Sequence, residues 1–361
     1  MRIERLELVP YSLRFREPYV SARGRLERRE LILVRVRSSG GPEGLGEAAP
    51  LALRGGPDLA RVASELREIC APSLEGTKLT PSTLAGLIAV CAGRGASRQA
   101  LAAIDTALHD LAAKAEGEPV WRLLGAAQAV PIPCNATLPA ADPSLVAERA
   151  ADWAAEGYTS FKLKLGARDD VAQVAAVREA VGSEAHIRVD ANGVWSAAEA
   201  VEMLSRLERF GIELAEQPAA DLYALAEVRR RSRIPIAADE SVVSEDDADR
   251  AIQFAACEVA TVKVAKVGGI AAGLAVARAI PCYLSSALDG PVGIAAAAHL
   301  AQLIPRPGLA GRLADGLATS RLFEGTIASI GPELRDATLH LPEEPGLGVE
   351  IDEVALRRHR L

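Results

Sequence analysis

The chain has 361 residues, of which 49% are hydrophobic and 4% aromatic, with a formal net charge of −7. This length suits one large domain accompanied by a smaller one. The negative charge argues against a nucleic-acid partner, because nucleic acids select proteins with a basic surface.

The sequence also argues against a membrane or secreted protein. No uncharged run reaches the ~18–20 residues that a membrane helix needs, and residues 1–5 contain no apolar core of a signal peptide. The five cysteines are scattered and form no CxxC pair, as in a reducing compartment. We therefore expect a cytoplasmic protein with no membrane partner.

The N-terminal third begins with strands and continues with helices. Residues 2–13 and 31–36 alternate apolar with charged side chains, which is typical of half-solvated antiparallel strands. Residues 97–114 place an apolar residue at helical spacing along one face, and the run Gly117-Glu118-Pro119 ends that pattern. These patterns predict an α+β unit.

From residue 130 onward, short apolar strands alternate with helical stretches. This alternation predicts a parallel (β/α) barrel. The alternative, an open doubly wound sheet, would usually carry a glycine-rich phosphate turn, and neither GxGxxG nor GxxxxGK[ST] occurs. The predicted strands are residues 130–137, 160–165, 186–190, 212–216, 234–239, 259–264, 283–288 and, with the weakest pattern, about 311–314.

Three consecutive predicted strands each end in an acidic residue. Asp190, Glu216 and Asp239 are 26 and 23 residues apart, about the length of one βα unit. One such acid could simply cap the following helix, but three in succession at the carboxyl ends of barrel strands favour a metal site. Ligands that are all oxygen select Mg²⁺, with Mn²⁺ as the alternative.

Lysines lie on the predicted strands to either side of the acids. Lys162 and Lys164 are two residues apart and share a strand face, and helices cover the outer face of a barrel, so both should point inward. Lys263 repeats this pattern on the sixth strand, whereas Lys266 follows that strand and is expected in a loop. A divalent cation, three carboxylates and two protonated lysines sum to about +1, which favours a carboxylate substrate.

This arrangement suits proton chemistry next to a carboxylate. A neutral lysine can remove the α-proton, and burial next to a cation would lower the pKa of a lysine toward that role. The metal would stabilise the dianionic enediolate that forms. Lysines on both sides of the substrate permit racemisation, cycloisomerisation or elimination.

At this point the chain resembles the enolase superfamily, and more narrowly its muconate-lactonizing subgroup, which carries Lys-x-Lys on the second strand and Lys on the sixth. The stretches Gly46-Glu47-Ala48-Ala49-Pro50-Leu51 and 102–111 also resemble the family, except that His109 stands where the family carries Trp. The resemblance implies an α/β fold: a modified TIM barrel, (β/α)7β, of residues 126–321. An α+β capping domain of residues 1–125, completed by about 322–361, would cover it.

The resemblance also implies roles for individual residues. The metal ligands would hold Mg²⁺, two lysines would be catalytic, and three polar neighbours would support them. By position these are Asp190, Glu216 and Asp239 as ligands, Lys164 and Lys263 as catalytic residues, and Lys162, Asn192 and Glu240 as supporting residues.

The reaction is indicated by a second resemblance. Residues 284–294 and 315–319 are similar to motifs of o-succinylbenzoate synthases, which implies a lyase that carries out a syn dehydration in menaquinone biosynthesis. Muconate cycloisomerases usually carry Glu where Asp289 stands. Dipeptide epimerases carry Asp-x-Asp where this chain has Asp315 and then Leu317.

Substrate-binding residues are less defined by the sequence. Arg23 and Arg25, in a cap loop of residues 19–25, could meet a distal carboxylate or could be ordinary surface arginines, and Ser286 and Asp289 are further candidates. An N-acylamino acid racemase, a dipeptide epimerase or a muconate-type cycloisomerase remains as an alternative enzyme, and a non-catalytic metal-binding barrel as an alternative of another class. Alanine-rich helices suit self-association, so a homo-oligomer is compatible with the sequence.

Overall fold

The computed structural model describes residues 1–167 and 169–361, with the backbone alone for residue 54. An antiparallel sheet of three strands opens the chain: β1 (Ile3–Ser21), β2 (Gly24–Ser38) and β3 (Glu43–Ala48). The predicted strands at residues 2–13 and 31–36 are confirmed, and both extend further. They form one long hairpin, which turns at residues 22 and 23.

Helices then cover one face of this sheet. They are α1 (Leu59–Glu65), a π-helical turn (Leu66–Cys70), α2 (Ala71–Leu74), α3 (Pro81–Gly93), α4 (Arg98–Glu116) and α5 (Val120–Leu123). The helix predicted at residues 97–114 is confirmed as α4, which starts after the Ser97 cap and ends at Gly117 in a left-handed conformation.

Helix α4 lies unusually close to strand β3. A Cβ atom on Gly46 would overlap the carbonyl oxygen of Ala103, so only glycine allows this approach. The buried Asp110 of α4 then accepts hydrogen bonds from two distant backbone amides, Leu45 N at 2.6 Å and Leu347 N at 2.7 Å. This carboxylate therefore joins the first sheet to the C-terminal part of the chain.

A parallel sheet of seven strands forms most of the barrel. After the short strand β4 (Ile132–Pro133), the seven occur in their order along the chain, each paired with the next. They are β5 (Ala136–Leu138), β6 (Ser160–Lys164), β7 (His186–Asp190), β8 (Ile212–Glu216), β9 (Ile236–Ala238), β10 (Val259–Val262) and β11 (Cys282–Leu284).

Helices connect these strands, as expected of a parallel barrel. Their outer layer leaves the strands buried on both faces. They are α6 (Pro143–Ala155), α7 (Asp170–Val181), α8 (Ala197–Leu207), α9 (Leu222–Arg231), α10 (Glu245–Gln253), α11 (Val264–Val267), α12 (Ile270–Ala279) and α13 (Pro291–Ala301), with 3-10 turns at Glu208–Phe210, Gly308–Arg312 and Ala318–Leu322.

Two residues take the place of an eighth strand. Asp315 bridges Cys134, next to β5, and Gly316 bridges Ser285, just after β11, both in the parallel sense. The prediction of a strand at about 311–314 was wrong, because residues 308–312 form a 3-10 turn. The barrel is thus closed by backbone hydrogen bonds such as Gly316 N to Leu284 O, at 2.8 Å.

The C-terminal residues return to both parts of the molecule. The strands β12 (Ala328–Ile330), β13 (Glu333–Arg335), β14 (Thr338–His340) and β15 (Glu350–Ile351) precede helix α14 (Glu353–His359). Strand β14 pairs with β4 at the start of the barrel, whereas Arg360 bridges Tyr11 of β1. The division at residues 125/126 and 321/322 stays a prediction.

Within the residues described, no helix combines the length and the apolar character needed to cross a membrane.

Candidate metal centre and lysine pair

The three acidic residues meet at the carboxyl ends of neighbouring strands. Asp190 ends β7, Glu216 ends β8 and Asp239 directly follows β9, with Asp190 paired opposite Glu216 in the sheet. Each offers one carboxylate oxygen within 4.8 Å of the others, and all three side chains are buried. The structure therefore brings together the three acids that their spacing predicts to meet.

The surroundings of Glu216 fit a bound cation. Its Oε1 atom is buried, and no described residue gives it a hydrogen bond. A buried carboxylate oxygen without a partner is costly, and a cation held between the three acids would compensate it. The donor set is oxygen only, so the site fits a hard cation such as Mg²⁺ or Mn²⁺.

Lysines flank this triad on both sides. Lys164, at the end of β6, contacts Asp190 and lies 3.2 Å from Asn192 Oδ1. Lys263, directly after β10, contacts Asp239, and its Nζ lies 3.8 Å from Glu216 Oε1. Both side chains are at most 2% exposed. The two amines thus approach the acids from strands on opposite sides of them in the sheet order.

Lys162 has a different environment from Lys164. Its Nζ lies 2.5 Å from Glu216 Oε2 and 3.0 Å from Asp190 Oδ2. Burial acts to lower the pKa of Lys162, but the charges of Asp190 and Glu216 outweigh it and hold this pKa well above its usual value. Lys162 is therefore held as a positive charge between two carboxylates.

Lys266 belongs to the site, contrary to the prediction of a loop residue. It lies in the short helix α11 and is buried, with Nζ 2.8 Å from Asp239 Oδ1 and 2.9 Å from the carbonyl oxygen of Thr261. One helical turn separates it from Lys263, so both amines reach the same carboxylate. The spacing of three residues between Lys263 and Lys266 was the signal in the sequence that both lysines could lie on one side.

Asn192 contacts Asp190 of the triad and two neighbouring side chains, Glu240 and Arg23. It is buried and adopts a positive φ of 50°, a conformation that Asn tolerates better than most residues. Its backbone N–H donates to Asp190 Oδ1 at 2.9 Å, and its side-chain amide donates to Glu240 Oε1 at 3.0 Å. Its carbonyl oxygen accepts from Arg23 Nε at 2.9 Å. The side chain of Asn192 thus contacts both Lys164 and Glu240.

Gln217 is a site residue that the sequence reasoning missed. It is fully buried with a φ of 39°, and its Oε1 accepts hydrogen bonds from Asp239 N at 2.8 Å and Ser241 N at 3.3 Å. The residue after Glu216 therefore fixes the backbone at Asp239, the next acid of the triad. Its position directly after Glu216, at the end of an apolar strand, was the signal available in the sequence.

Tyr283 is a second residue that was missed. It lies on β11 with its side chain fully buried, and its hydroxyl donates to Glu216 Oε2 at 2.5 Å. Burial and the charge of Glu216 hold the pKa of Tyr283 well above its usual value, so the hydroxyl keeps its proton.

A small cavity joins the lysines to the loop after β11. Its lining includes Ser286 but not Asp289, and consists of Tyr19, Thr137, Lys162, Lys164, Lys263, Ser285, Ser286, Leu288 and Thr319. Asp289 lies behind this wall, where its Oδ2 accepts from Ser286 Oγ at 3.1 Å and Ala287 N at 2.9 Å. The structure thus places Ser286 at the wall of the lysine cavity, whereas Asp289 supports the loop from behind.

The first sheet also supports that loop, through Glu47 of β3. Glu47 Oε1 accepts from Gly290 N at 2.7 Å and Gly293 N at 3.3 Å at the start of α13, and Oε2 accepts from Tyr11 OH at 2.6 Å. Burial and the charge of Asp289 raise the pKa of Glu47 to about 7. The loop that carries Ser286 is therefore held from both parts of the molecule.

The two candidate arginines of the cap loop differ in their contacts. Both line a second, wider cleft formed by the β1–β2 hairpin, residues 50–53 and Ala287–Leu288. Arg23 reaches Asn192 as described, whereas Arg25 Nε pairs with Glu27 at 2.8 Å, with both side chains exposed. Arg23 is therefore tied to the site, and Arg25 lies at the outer edge.

Known proteins match this chain over nearly its whole length. The model of the mandelate racemase / muconate lactonizing enzyme N-terminal domain matches residues 5–125, and the enolase C-terminal domain-like model matches residues 145–355. Muconate cycloisomerase 1 of Rhodococcus opacus is 32% identical over 358 residues, covering 94% of this chain and 93% of that protein.

Two further matches add detail. An o-succinylbenzoate synthase of Thermobifida fusca is 41% identical over 203 residues, covering 54% of this chain and 62% of that protein. The crystal structure of a muconate lactonizing enzyme of Pseudomonas fluorescens, complexed with muconolactone, superposes with a TM-score of 0.93 at 29% identity, covering 100% of this chain and 99% of that one.

Proposed function

Because the chain belongs to the enolase superfamily and to its muconate-lactonizing subgroup, we propose that it is a metal-dependent enzyme that removes a proton α to a substrate carboxylate. The observation that carries this proposal is the pair Lys164 and Lys263, buried on opposite sides of the acidic triad and lining one cavity. A barrel used only for binding would have no need of two buried amines at this position.

The triad Asp190, Glu216 and Asp239 would hold Mg²⁺, which supplies positive charge for the substrate carboxylate when bound. Lys164 would remove the α-proton, and the charge that develops would lie close to the cation of Lys162, which is fixed between two carboxylates. Asn192 orients Lys164 through its Oδ1 atom.

Among the reactions of the subgroup we propose the o-succinylbenzoate synthase reaction, a syn dehydration of a succinyl-hydroxycyclohexadiene carboxylate. Lys164 takes the α-proton and returns it to the departing hydroxide, so that water leaves and the ring becomes aromatic. Lys263 remains protonated on the other face, where it can stabilise the enediolate by a cation–π contact. The residues 284–294 and the partial match to the Thermobifida fusca synthase support this choice.

The surroundings of Asp315 argue against a dipeptide epimerase. An epimerase needs a carboxylate that is available to a substrate ammonium group. Asp315 is buried instead, with Oδ2 at 2.5 Å from Arg306 and Oδ1 accepting from Leu284 N at 2.8 Å. Its charge is already compensated, and it does not line the lysine cavity.

A racemase that acts on N-succinyl amino acids is a second candidate, favoured by the placement of the two lysines. One neutral lysine would remove the α-proton from its face, and the other, protonated, would donate a proton to the opposite face, so that the configuration inverts. This reaction needs the same residues as the dehydration, so an experiment has to separate the two.

The test compares the two substrates with the same enzyme. With Mg²⁺ we expect the wild-type protein to form o-succinylbenzoate, followed by its absorbance, and Lys164→Ala and Lys263→Ala each to lose most of this activity. Lys78→Ala, at an exposed lysine of the capping region, serves as the matched control.

Exchange of the α-proton of N-succinyl amino acids in D₂O tests for the second candidate, the racemase activity. If exchange occurs from both enantiomers while no o-succinylbenzoate forms from its precursor, the synthase proposal is wrong and the racemase stands. Unchanged turnover of every tested acid by Lys164→Ala would instead contradict the proposed use of both lysines.

A further inference from the structure

Tyr283 occupies the inner floor of the barrel, below the acidic triad. Its ring packs with side chains that fill the lumen at that end, among them Leu214, Ala237 and Val259. A hydroxyl in such an apolar floor is costly unless it is hydrogen-bonded. Its contacts with Glu216 and Thr261 meet this requirement, so the residue has a defined orientation.

The two carboxylate oxygens of Glu216 are not equivalent. Oε2 receives hydrogen bonds from Tyr283 OH and from Lys162 Nζ, both at 2.5 Å. Oε1 receives none from any described residue, and Lys263 Nζ lies 3.8 Å from it. One oxygen is therefore already held by two hydrogen bonds from the protein, and the other is the oxygen left without one.

Neighbouring side chains fix the direction of the tyrosine proton. Thr261 Oγ1 donates to Tyr283 OH at 2.9 Å, so the hydroxyl of Tyr283 has Glu216 as its acceptor. The Arg188 guanidinium lies 5.3 Å from the centre of the tyrosine ring, and Arg188 is itself held by Glu213 at 2.7 Å and the carbonyl oxygen of Ala314 at 2.6 Å. The hydroxyl cannot turn away without breaking this arrangement.

We propose that Tyr283 is a positioning residue that makes Glu216 a one-oxygen ligand and thereby favours Mg²⁺ over Ca²⁺. Mg²⁺ requires near-octahedral geometry and binds carboxylates through single oxygens, whereas Ca²⁺ accepts both oxygens of one carboxylate in a larger and more flexible shell. By holding Oε2, Tyr283 and Lys162 withhold the second oxygen that Ca²⁺ would use.

The inference rests on the proposed metal centre, and its test measures cation binding instead of turnover. Tyr283→Phe removes the hydroxyl but keeps the ring beneath Arg188, so the barrel floor stays packed. By titration calorimetry we expect Mg²⁺ affinity to fall about 10- to 100-fold, as for other residues that orient a metal ligand. Ca²⁺ affinity should stay unchanged or rise, so the Mg²⁺/Ca²⁺ affinity ratio falls at least about tenfold.

Two further variants complete the test. Thr261→Val, which removes the donor to the tyrosine oxygen, should shift the ratio in the same direction by a smaller factor. Tyr158→Phe removes the hydroxyl of another buried tyrosine, whose ring packs against Trp153, and should leave the ratio unchanged.

The outcomes separate the two proposals. Equal loss of Mg²⁺ and Ca²⁺ affinity in Tyr283→Phe, or no loss of either, would overturn the role of Tyr283 while the metal centre stands. Wild-type protein that binds neither cation would overturn the metal centre itself, and the role of Tyr283 with it.

Discussion

Replacing Glu47 with Gln tests how the first sheet and the barrel are joined. Glu47 is 4% exposed and accepts three hydrogen bonds, all of which a Gln carbonyl and a rotated Tyr11 hydroxyl can largely preserve. The charged groups that face it are Asp289 and Arg29, and Tyr11 is the other titratable group. The substitution thus removes a charge and changes little in shape.

The expected change in the free energy of unfolding follows from the pKa of Glu47, which rises from its ordinary 4.5 to about 7 on folding. Between these two values the unfolded chain releases the proton while the folded protein keeps it, so stability falls as the pH rises through this window. One pKa unit corresponds to 1.36 kcal/mol, so the free energy of unfolding falls by about 2–3 kcal/mol between pH 5 and pH 8. Above pH 7 to 8 the loss is complete.

The assay is urea unfolding of the wild type and Glu47→Gln at pH 5, 6, 7 and 8. We expect the variant to gain about 2–3 kcal/mol on the wild type across this range, because it lacks the carboxyl that resists ionisation. Glu4→Gln, at an exposed position of the same sheet, controls for the loss of one negative charge. Parallel pH profiles of Glu47→Gln and the wild type would refute the reasoning.

Three further outcomes are expected. Gly46→Ala should lower the free energy of unfolding by about 3 kcal/mol, measured in urea, because its Cβ would overlap the Ala103 carbonyl oxygen; an unchanged value would contradict the close packing. Lys266→Met removes a buried cation from Asp239. It should lower the melting temperature of the metal-free protein and strengthen Mg²⁺ binding in calorimetry. Weaker Mg²⁺ binding by the variant would contradict this. Chelation with EDTA should lower the melting temperature of the wild type reversibly, whereas an unaffected melting temperature would argue against a bound cation.

The strands that carry the metal ligands could be predicted from the sequence because their signal is local. Strands 186–190 and 212–216 have the predicted bounds, and each ends in an acid that follows an apolar run. Sequence spacing alone then places the acids on adjacent strands. The barrel and the triad could therefore be predicted from the sequence alone.

Other parts of the site depend on contacts between distant segments. Gln217 and Tyr283 act through Asp239 and Glu216, and no periodicity marks a residue that bonds to a ligand on another strand. Lys266 was missed because a single helical turn begins directly after Lys263. The eighth strand position comprises two residues, which is too short for any alternation to show.

The bond between Asp110 and Leu347 has a consequence for synthesis of the chain. The two residues are 237 positions apart, so at about 5–20 residues per second roughly 10–50 s separate their exit from the ribosome. During this interval the carboxylate of Asp110, which is buried in the folded protein, lacks one of its two backbone donors. We therefore expect nascent chains stalled before residue 347 to be cut by protease within their first 125 residues, while released full-length chains resist.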